Sequence, residues 1–401
     1  MSEALLPLAG VRVADFTIHA AGPFSTHVLS QLGAECIKIE SQSRPDAFRK
    51  PHAVYGRMTA ATFDQVSANK LSVRLNLKKP EAVEIAKQIV SLSDIAAESF
   101  RPGVMKRLGL DYKALKEVKS DLVMLSLSSS GQCGPDSHFA GYAPLFGAWG
   151  GLGWMSGYHD GPPMEMRHVM DHSAGYHAVV ALLAALHQKR RSGEGQYIDL
   201  AARDVASAMI GDALLMASLG QEPVRPGNDD LMMSPHGVYP TSTNDRWLTI
   251  AVRNDREWRA LVGVIGTPSA ADDPRFARPE ARLKNRKLVN ELVTGWLRGK
   301  GAESTAKRLQ NAGVCAHASW NMQEIADDPH LRQRGALTAV DDPLTEKRFA
   351  IGMPARFSKA GGVGIRRGTP DLGQDEDYVF GELLGLSSTQ RVELEDREII
   401  F

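Results

Sequence analysis

The sequence has few cysteines, and their spacing argues against metal-bound or disulfide frameworks. Cys36, Cys133 and Cys315 are far apart, and no CxxC motif occurs. A zinc ribbon and a disulfide framework are therefore excluded, and the cysteine usage fits a reducing compartment. We expect no metal and a cytoplasmic location.

No charge of one sign dominates. The 47 Lys and Arg residues balance 47 Asp and Glu residues. Proteins that coat nucleic acid need a surplus of cations, so a nucleic-acid partner is excluded. The balance hides local segregation, because residues 101–119 carry six cations against two acids and residues 369–401 carry nine acids against two arginines. A small polyanionic ligand is still compatible with the sequence.

Long hydrophobic runs and nucleotide motifs are also absent. The longest apolar run, residues 178–186, is about half of the ~18–20 residues that a spanning helix needs. The first ten residues lack the cationic start of a signal peptide, so we expect no membrane association. No GxxxxGK[ST] run occurs, which excludes a P-loop. The glycines between 147 and 157 follow an irregular segment, whereas a dinucleotide fingerprint follows a strand directly.

Strand-like and helix-like segments alternate in the first half of the chain. Strands are predicted at residues 10–17, 35–40, 71–77, 94–100, 122–128 and 196–200, and helices at residues 22–32, 80–92, 171–191 and 204–219. This alternation predicts an α/β fold whose parallel sheet carries helices on its faces. Residues 129–170 are rich in Gly, Ser and Pro, yet they hold several aromatic side chains. They are predicted to be an ordered functional loop.

The second half indicates a smaller module. Residues 222–237 hold three prolines and two glycines and have the composition of a linker. Beyond it, a strand at 246–252 and helices near 281–299 and 303–311 predict an α+β module. We therefore expect a large domain in residues 1–222, a small domain with its linkers in 223–330, and a return to the large domain in 331–401.

Asp171 lies between two histidines, His168 and His172, that are four residues apart. On one helix such a pair would face one metal, but no third ligand is evident, and packed or solvated histidines are favoured. Asp171 itself matches a helix N-cap, where its carboxylate would accept a backbone N–H. A carboxylate kept ionised at a helix start is also a nucleophile. Spacing leaves both explanations open and favours the cap.

Arg101, Lys106 and Arg107 follow the predicted strand 94–100. Ligands of open α/β sheets bind where strands end, so this group suits a phosphate-bearing ligand. A solvated helix face is the alternative explanation.

Four segments in order, residues 8–40, 93–110, 125–135 and 170–201, resemble the family III CoA-transferases. This group includes formyl-CoA transferase, carnitine CoA-transferase and α-methylacyl-CoA racemase, and residues 313–335 match it more weakly. The resemblance implies a Rossmann-like large domain built from both ends of the chain, with a smaller domain inserted. It also implies an interlocked dimer of threaded subunits, either a homodimer or a heteromer with a homologous subunit.

The resemblance identifies Asp171 as the family nucleophile, which reverses the preference for a cap. Acyl-CoA and carboxylic acid would be the substrates, an aspartyl anhydride and thioester the intermediates, and no tightly bound cofactor would be needed. A glycine-rich loop would donate N–H groups to the oxyanions. The family positions expected to contact CoA are His19, Ala20, Ser41, Leu75, Asn76, Lys78, Ser99, Phe100, Arg101, Arg107, Phe139 and Tyr142.

Tyr142 stands where the racemase branch of the family carries a histidine. A tyrosine does not replace a base with a pKa near 6.5, so a transferase is favoured over a racemase or epimerase. A non-catalytic CoA-binding subunit is a third alternative. Residues 138–163 and 225–240 resemble the transferases of anaerobic aromatic (toluene) degradation. They imply succinyl-CoA as donor, an aromatic, benzylsuccinate-like acceptor and, since Asp171 is present, a catalytic subunit.

Overall fold

The protein was analysed as a computed structural model that describes residues 6–49, 61–166, 169–241, 245–342 and 346–401. The strands are β1 (Arg12–Phe16), β2 (Glu35–Glu40), β3 (Leu71–Arg74), β4 (Ile95–Glu98), β5 (Val123–Ser128), β6 (Tyr197–Ala201), β7 (His236–Pro240), β8 (Trp247–Ala251), β9 (Cys315–Ala318), β10 (Leu337–Asp342) and β11 (Glu346–Ile351). The helices are α1 (Ala21–Gln31), α2 (Ala61–Ser67), α3 (Pro80–Ser91), α4 (Val104–Arg107), α5 (Tyr112–Val118), α6 (Ala143–Trp149), α7 (Leu152–Met155), α8 (Val169–Ser192), α9 (Ala202–Ala208), α10 (Gly211–Ser218), α11 (Asp255–Ile265), α12 (Pro279–Lys284), α13 (Arg286–Leu297), α14 (Ala302–Asn311), α15 (Met322–Asp327), α16 (Pro329–Gln333) and α17 (Ser388–Asp396).

The described residues form two compact units. The larger takes its residues from Met1–Gly153, Glu165–Leu219 and Pro329–Phe401, and the smaller from Trp154–Met164 and Gly220–Asp328. The N- and C-terminal parts of the chain therefore contribute to the same unit.

The larger unit is built on a six-stranded parallel sheet, as the alternating sequence pattern predicts. Its strand order is β3-β2-β1-β4-β5-β6, and every neighbouring pair is parallel. Successive strands first run outward on one side of β1 and then, from β4 on, outward on the other side. The topological switch point lies between β1 and β4, where Val13 pairs with Ile95. Ligands of such sheets bind at the carboxyl edge of this point.

Both faces of the sheet are covered, so nearly every residue of β1, β2, β4 and β5 is buried. On one face, alternate strand residues such as Val13 and Leu125 pack against α1 and α8. On the other, Ala14 and Met124 pack against α3 and the C-terminal segment, whose Ile400 is 2% exposed. Within the described residues, α8 is long and apolar enough to cross a membrane, but seven of its side chains are buried in this core.

The smaller unit carries an antiparallel sheet in the order β7-β8-β9. Alternate residues of β8, Leu248 and Ile250, are fully buried, as expected for a sheet with one covered face. Helix α11 packs Trp258 into this core. It begins at a good cap, since the Asn254 side chain accepts the Glu257 N–H, and it ends at Gly266 with φ +92°.

Three of the predicted elements differ from the structure, and one of them, the helical segment near 281–299, is two helices, α12 and α13, that meet at Asn285. The helix predicted at 204–219 is two helices, α9 and α10, because the chain turns at Met209 and Ile210 before Gly211. The segment 129–170, predicted to be a loop, contains the short helices α6 and α7 around Gly150 and Gly151. At Gly150 a Cβ atom would lie 2.3 Å from the Ala206 Cβ, so the glycine allows close contact with α9.

Candidate active site

The residues predicted to contact CoA lie directly beyond the carboxyl ends of five strands. His19 and Ala20 follow β1, Ser41 follows β2, and Leu75, Asn76 and Lys78 follow β3. Ser99, Phe100, Arg101 and Arg107 follow β4, and Phe139 and Tyr142 follow β5. Because parallel strands end at one edge of a sheet, these residues all belong to the crevice edge that contains the switch point.

The turn between β1 and α1, residues 17–20, lies at the switch point itself. His19 is half-buried and adopts φ +67°, a left-handed conformation that is uncommon outside glycine. Its imidazole meets the ring of Tyr142 edge-on at 5.8 Å between centroids, and the ring of Phe48 at 6.1 Å. Two predicted site residues from distant parts of the sequence, His19 and Tyr142, are therefore in contact.

Asp171 lies in the first turn of α8, as its third residue. The N-cap interpretation was wrong in position, because the helix begins at Val169. Asp171 is half-buried and precedes Gly175 by one turn on the same helix face. At Gly175 a Cβ atom would lie 2.7 Å from the Phe24 ring and 3.0 Å from the Ala21 oxygen. The face of α8 that carries Asp171 therefore packs closely on the beginning of α1, beside the β1–α1 turn.

The residues beyond β2 and β3 differ in how accessible their side chains are to a ligand. Leu75 is 1% exposed, and its N–H donates to Glu40 O at 2.6 Å, so its side chain belongs to the core. The Asn76 amide donates to Glu398 O at 3.2 Å. Lys78 is exposed at this edge. Ser41 is half-buried, with its hydroxyl 2.9 Å from that of Ser43.

The segment beyond β4 presents cations to solvent. Arg101, Lys106 and Arg107 are exposed, the last two in the final turn of α4. The Arg107 guanidinium lies over Gly103, where a Cβ atom would be 3.2 Å from its Nη1. Phe100 is half-buried against the core face that contains α3. These cations are placed where an anionic ligand of the crevice would meet them.

The segment beyond β5 brings aromatic rings to the same edge. Phe139 is tilted against Trp149 at 5.5 Å between ring centroids, and its carbonyl oxygen accepts the Ser129 hydroxyl at 2.9 Å. Tyr142 immediately precedes α6 and is 63% exposed, so most of its ring is open to a ligand.

A network of buried charges beneath the crevice was missed from the sequence. Lys70 Nζ lies 2.9 Å from Asp15 Oδ2, and Lys38 Nζ lies 3.2 Å from Asp46 Oδ2, with all four side chains inaccessible to solvent. Burial opposes ionisation of Asp15, but Lys70 and Lys38 outweigh it and hold the Asp15 pKa below its usual value. Charged residues inside apolar strand patterns, such as Asp15 and Lys38, are the signal that could have indicated it.

Glu98, the last residue of β4, is a second buried acid at this edge. It is 2% exposed, and its Oε2 accepts the Phe100 N–H at 2.7 Å. Burial raises the pKa of Glu98 to about 7, although hydrogen bonds from Ser126 and Phe100 act in the opposite direction.

Of the two histidines near Asp171, His172 forms no metal site with other described residues. Over the described ranges, no group of three or more His, Cys, Asp or Glu side chains comes together as metal ligands. His168 lies outside the described residues, while the His172 ring packs against Phe24 at 4.4 Å between centroids.

The larger unit has a doubly wound parallel sheet, and exposed Arg and Lys side chains lie at the edge of its switch point. Proteins of this class bind nucleotide-containing ligands in the crevice at that edge. A family model described as CoA-transferase family III matches residues 8–376. The chain belongs to this family, so it is a CoA-transferase, and its substrates are CoA thioesters and carboxylic acids.

Curated relatives and a solved structure cover almost the whole chain. The chain is 31% identical over 399 residues to the succinyl-CoA–D-citramalate CoA-transferase of Chloroflexus aurantiacus, with 98% of each chain covered. It is 30% identical over 404 residues to the succinyl-CoA–L-malate CoA-transferase beta subunit of that organism, again with 98% of each covered. A CAIB/BAIF family protein from Brucella suis superposes with a TM-score of 0.85 at 28% identity, covering 94% of this chain and 99% of that one.

Proposed function

We propose that Asp171 is the nucleophile that carries CoA from donor to acceptor. The observation that carries the proposal is its position in the first turn of α8, against the start of α1 and beside the switch-point crevice. Partial positive charge at a helix start stabilises a carboxylate there, and an ionised carboxylate is the form that attacks a thioester.

The reaction proceeds through two covalent intermediates. An Asp171 oxygen attacks the thioester carbon of the donor, the C–S bond breaks, and an acyl-aspartyl anhydride and CoA thiolate form. The thiolate attacks the aspartyl carbonyl, which releases the donor acid as its carboxylate and leaves an aspartyl-CoA thioester. The acceptor carboxylate then attacks this thioester, and the same steps run in reverse to release the acceptor's CoA thioester. One thioester replaces another, so no ATP is consumed.

Oxyanions that develop during these attacks need nearby donors. The first N–H groups of a helix have no intrahelical partner, so those of Ala21 and Gly22, which begin α1 directly after the β1–α1 turn, would serve as such donors. Most of the segment 147–153, predicted to be a loop, folds into α6 and α7.

CoA would lie along the carboxyl edge of the sheet. Its phosphates would meet Arg101 and Arg107, and its adenosine part would lie by Phe100 and by Lys78 beyond β3. Its pantetheine chain would follow Phe139 and Tyr142 toward His19, which is placed to bring the thioester to the start of α8.

For the substrates, we propose succinyl-CoA as donor and a dicarboxylic acid as acceptor. Both curated relatives named above have succinyl-CoA in their names, together with D-citramalate or L-malate. The sequence resemblance suggests an aromatic member of this class, as in succinyl-CoA:(R)-benzylsuccinate CoA-transferase. The rings of Tyr142 and His19 suit a phenyl group. Transfer rates with benzylsuccinate, citramalate and malate at equal concentration decide between these acceptors.

The nucleophile is tested by intact-mass analysis after incubation with succinyl-CoA. The wild-type chain should gain a CoA adduct, and hydroxylamine should convert Asp171 to the hydroxamate. Asp171→Ala should lose both the adduct and all transfer. The matched control is Asp212→Ala, which removes a first-turn aspartate from α10. An active wild-type enzyme whose Asp171 peptide stays unmodified would contradict the mechanism.

We further propose that two chains interlock, as a homodimer or with a homologous subunit. Apolar side chains remain exposed on α8 and α10 and directly after α10, with Val180 at 68%, Leu215 at 62% and Leu219 at 69%. Such side chains are usual at interfaces between subunits. Mixing isotopically light and heavy protein tests the threading, because interlocked subunits cannot exchange without unfolding. Mixed dimers appearing within minutes would argue against it.

A further inference from the structure

The backbone of the β1–α1 turn is held by side chains from neighbouring strands. The Thr17 N–H donates to Asp15 Oδ1 at 2.9 Å, and the Thr17 carbonyl oxygen accepts from Lys38 Nζ at 2.7 Å. Asp15 and Lys38 are fully buried charges on β1 and β2. Both backbone groups of Thr17 are thus engaged by side chains of the buried charge network, in which Lys70 also holds Asp15 and Asp46 also holds Lys38.

Ser99, just beyond β4, engages the next residue of the turn in the same way. The Ile18 N–H donates to Ser99 Oγ at 2.9 Å, and Ser99 Oγ donates to the Ile18 carbonyl oxygen at 3.0 Å. A serine hydroxyl has a single proton to donate. Since Ile18 receives that proton, Ser99 has no donor left for a phosphate or an amide of CoA.

The space around this bridge is full. At Gly22 a Cβ atom would lie 2.8 Å from the Ser99 Cβ and 2.8 Å from the Thr17 Cβ. The ends of β1 and β4 and the first turn of α1 therefore touch one another. Such contacts leave the turn little freedom, and they maintain the left-handed backbone of His19, which an isolated chain would seldom adopt.

We propose that Ser99 is a positioning residue, which fixes the β1–α1 turn across the switch point and so aims the His19 imidazole at the reacting thioester. The inference rests on the proposed function, because it takes the crevice beside Asp171 as the place of acyl transfer. His19 contacts Tyr142 on the crevice side, whereas Ser99 faces the turn and acts only through it.

The test is Ser99→Ala, with Ser93→Ala as its matched control. Ser93 is a buried serine at the opposite end of β4, and its hydroxyl donates to Ile89 O at 2.8 Å. Ser99→Ala should lower kcat about tenfold, the effect of one or two lost hydrogen bonds. Its KM for succinyl-CoA should stay within about twofold of wild type, because the contacts that bind CoA in the ground state are unchanged. Ser93→Ala should change neither constant.

A rise in KM at unchanged kcat would make Ser99 a CoA ligand and overturn the inference, as would unchanged kinetics. Coupling to His19 adds a second criterion. Glycine adopts a left-handed backbone freely. His19→Gly therefore removes the imidazole, and the backbone at residue 19 no longer needs Ser99 to keep it left-handed. In that background Ser99→Ala should have little further effect on kcat. Additive losses would contradict an action through His19.

An activity-independent readout separates this inference from the proposed function. Ser99→Ala should speed hydrogen exchange of the Ile18 amide at least about tenfold over Ser93→Ala, because the amide loses its acceptor. Ser99→Cys retains only a weak donor, so its Ile18 exchange rate should lie between those of wild type and Ser99→Ala. This variant replaces Ser99→Ala in the test if the alanine substitution unfolds the protein. Unchanged Ile18 exchange would overturn the inference. An unmodified Asp171 in an active enzyme would instead overturn the mechanism alone.

Discussion

Single residues at the carboxyl edge of the sheet divide into exposed cations and buried acids. Arg101 and Arg107 are open to a ligand, whereas Asp15 and Glu98 lie beneath the edge and hold strand ends in place. The exposed group should determine how tightly CoA binds. The buried group should determine how stable the unit is, and how that stability depends on pH.

Arg107→Met should weaken binding of the CoA substrate without changing the chemistry. A hydrogen bond to a charged group contributes about 1.5–3 kcal/mol, so KM for succinyl-CoA should rise about tenfold to a hundredfold at nearly constant kcat. Steady-state kinetics measure this. Arg190→Met, in the last turn of α8 far from Asp171, is the control and should behave as wild type. A fall in kcat at unchanged KM would contradict a phosphate contact.

Glu98 should make the protein less stable as the pH rises through neutrality. Its pKa is raised from 4.5 to about 7 in the folded state, so the folded protein binds its proton more tightly than the unfolded chain does. The stabilisation is full below about pH 4.5 and is lost as the pH rises through about 7. At 1.36 kcal/mol per pKa unit the loss is roughly 3 kcal/mol.

Glu98→Gln keeps an acceptor for the Phe100 N–H and removes the ionisation. Urea unfolding of both proteins between pH 4.5 and 8 should show the difference in their free energies of unfolding changing by that amount. Parallel pH profiles for wild type and variant would exclude Glu98 as the titrating group.

At the scale of elements, the contact between α8 and α1 determines where the proposed nucleophile lies. Gly175 lets the two helices approach, and Asp171 lies one turn away on the same face. Any side chain at 175 would push the beginning of α8 away from the crevice, and Asp171 with it.

Gly175→Ala should therefore lower both the melting temperature and kcat. The added methyl would lie 2.7 Å from the Phe24 ring, and overpacking of this kind costs about 1–3 kcal/mol. The control is Gly263→Ala inside α11, where no atom lies within 4 Å of the new Cβ. That change should stabilise its helix by about 0.5–1 kcal/mol. Scanning calorimetry and a transfer assay measure both effects, and equal melting temperatures for the two variants would refute the packing argument.

The elements also show which parts of the structure are accessible from sequence. The predicted parallel sheet was confirmed, because strand-like and helix-like segments alternate along the first half of the chain and this alternation is a strong pattern. The separate helices α9 and α10 and the position of Asp171 three residues into α8 were not predicted. The close approach of Gly150 to Ala206 on α9 is likewise a tertiary contact that no local pattern encodes. The roles of Asp171 and of the predicted CoA contacts stay predictions.

At the scale of the whole molecule, residues 399–401 pack against the sheet that contains β1, although nearly the whole sequence separates them. Ile399 and Ile400 are 1% and 2% exposed in the core face of α3. The Asn76 N–H donates to Ile399 O, and the Gln42 N–H donates to Phe401 O, both at 2.9 Å. The C-terminal segment is thus part of the core beneath β2 and β3.

Replacing both isoleucines with alanine should destabilise the larger unit strongly. Each buried Ile→Ala change costs about 2–5 kcal/mol. Val392→Ala, on α17 with 55% of the residue exposed, should stay within about 0.5 kcal/mol of wild type. Thermal unfolding compares them. If the double variant had the melting temperature of wild type, the C-terminal segment would not be part of the cooperative unit.

This discontinuity has a consequence for synthesis on the ribosome. Residues 220–328 of the smaller unit emerge as one uninterrupted stretch and can fold while the rest of the chain is still being made. The larger unit takes its residues from both sides of that stretch, so β1–β6 are synthesised before Ile399 and Ile400, which pack on one face of their sheet. That face keeps part of its apolar surface uncovered until residues 399 and 400 have left the ribosome. The larger unit can therefore close its core only after the smaller unit has been made.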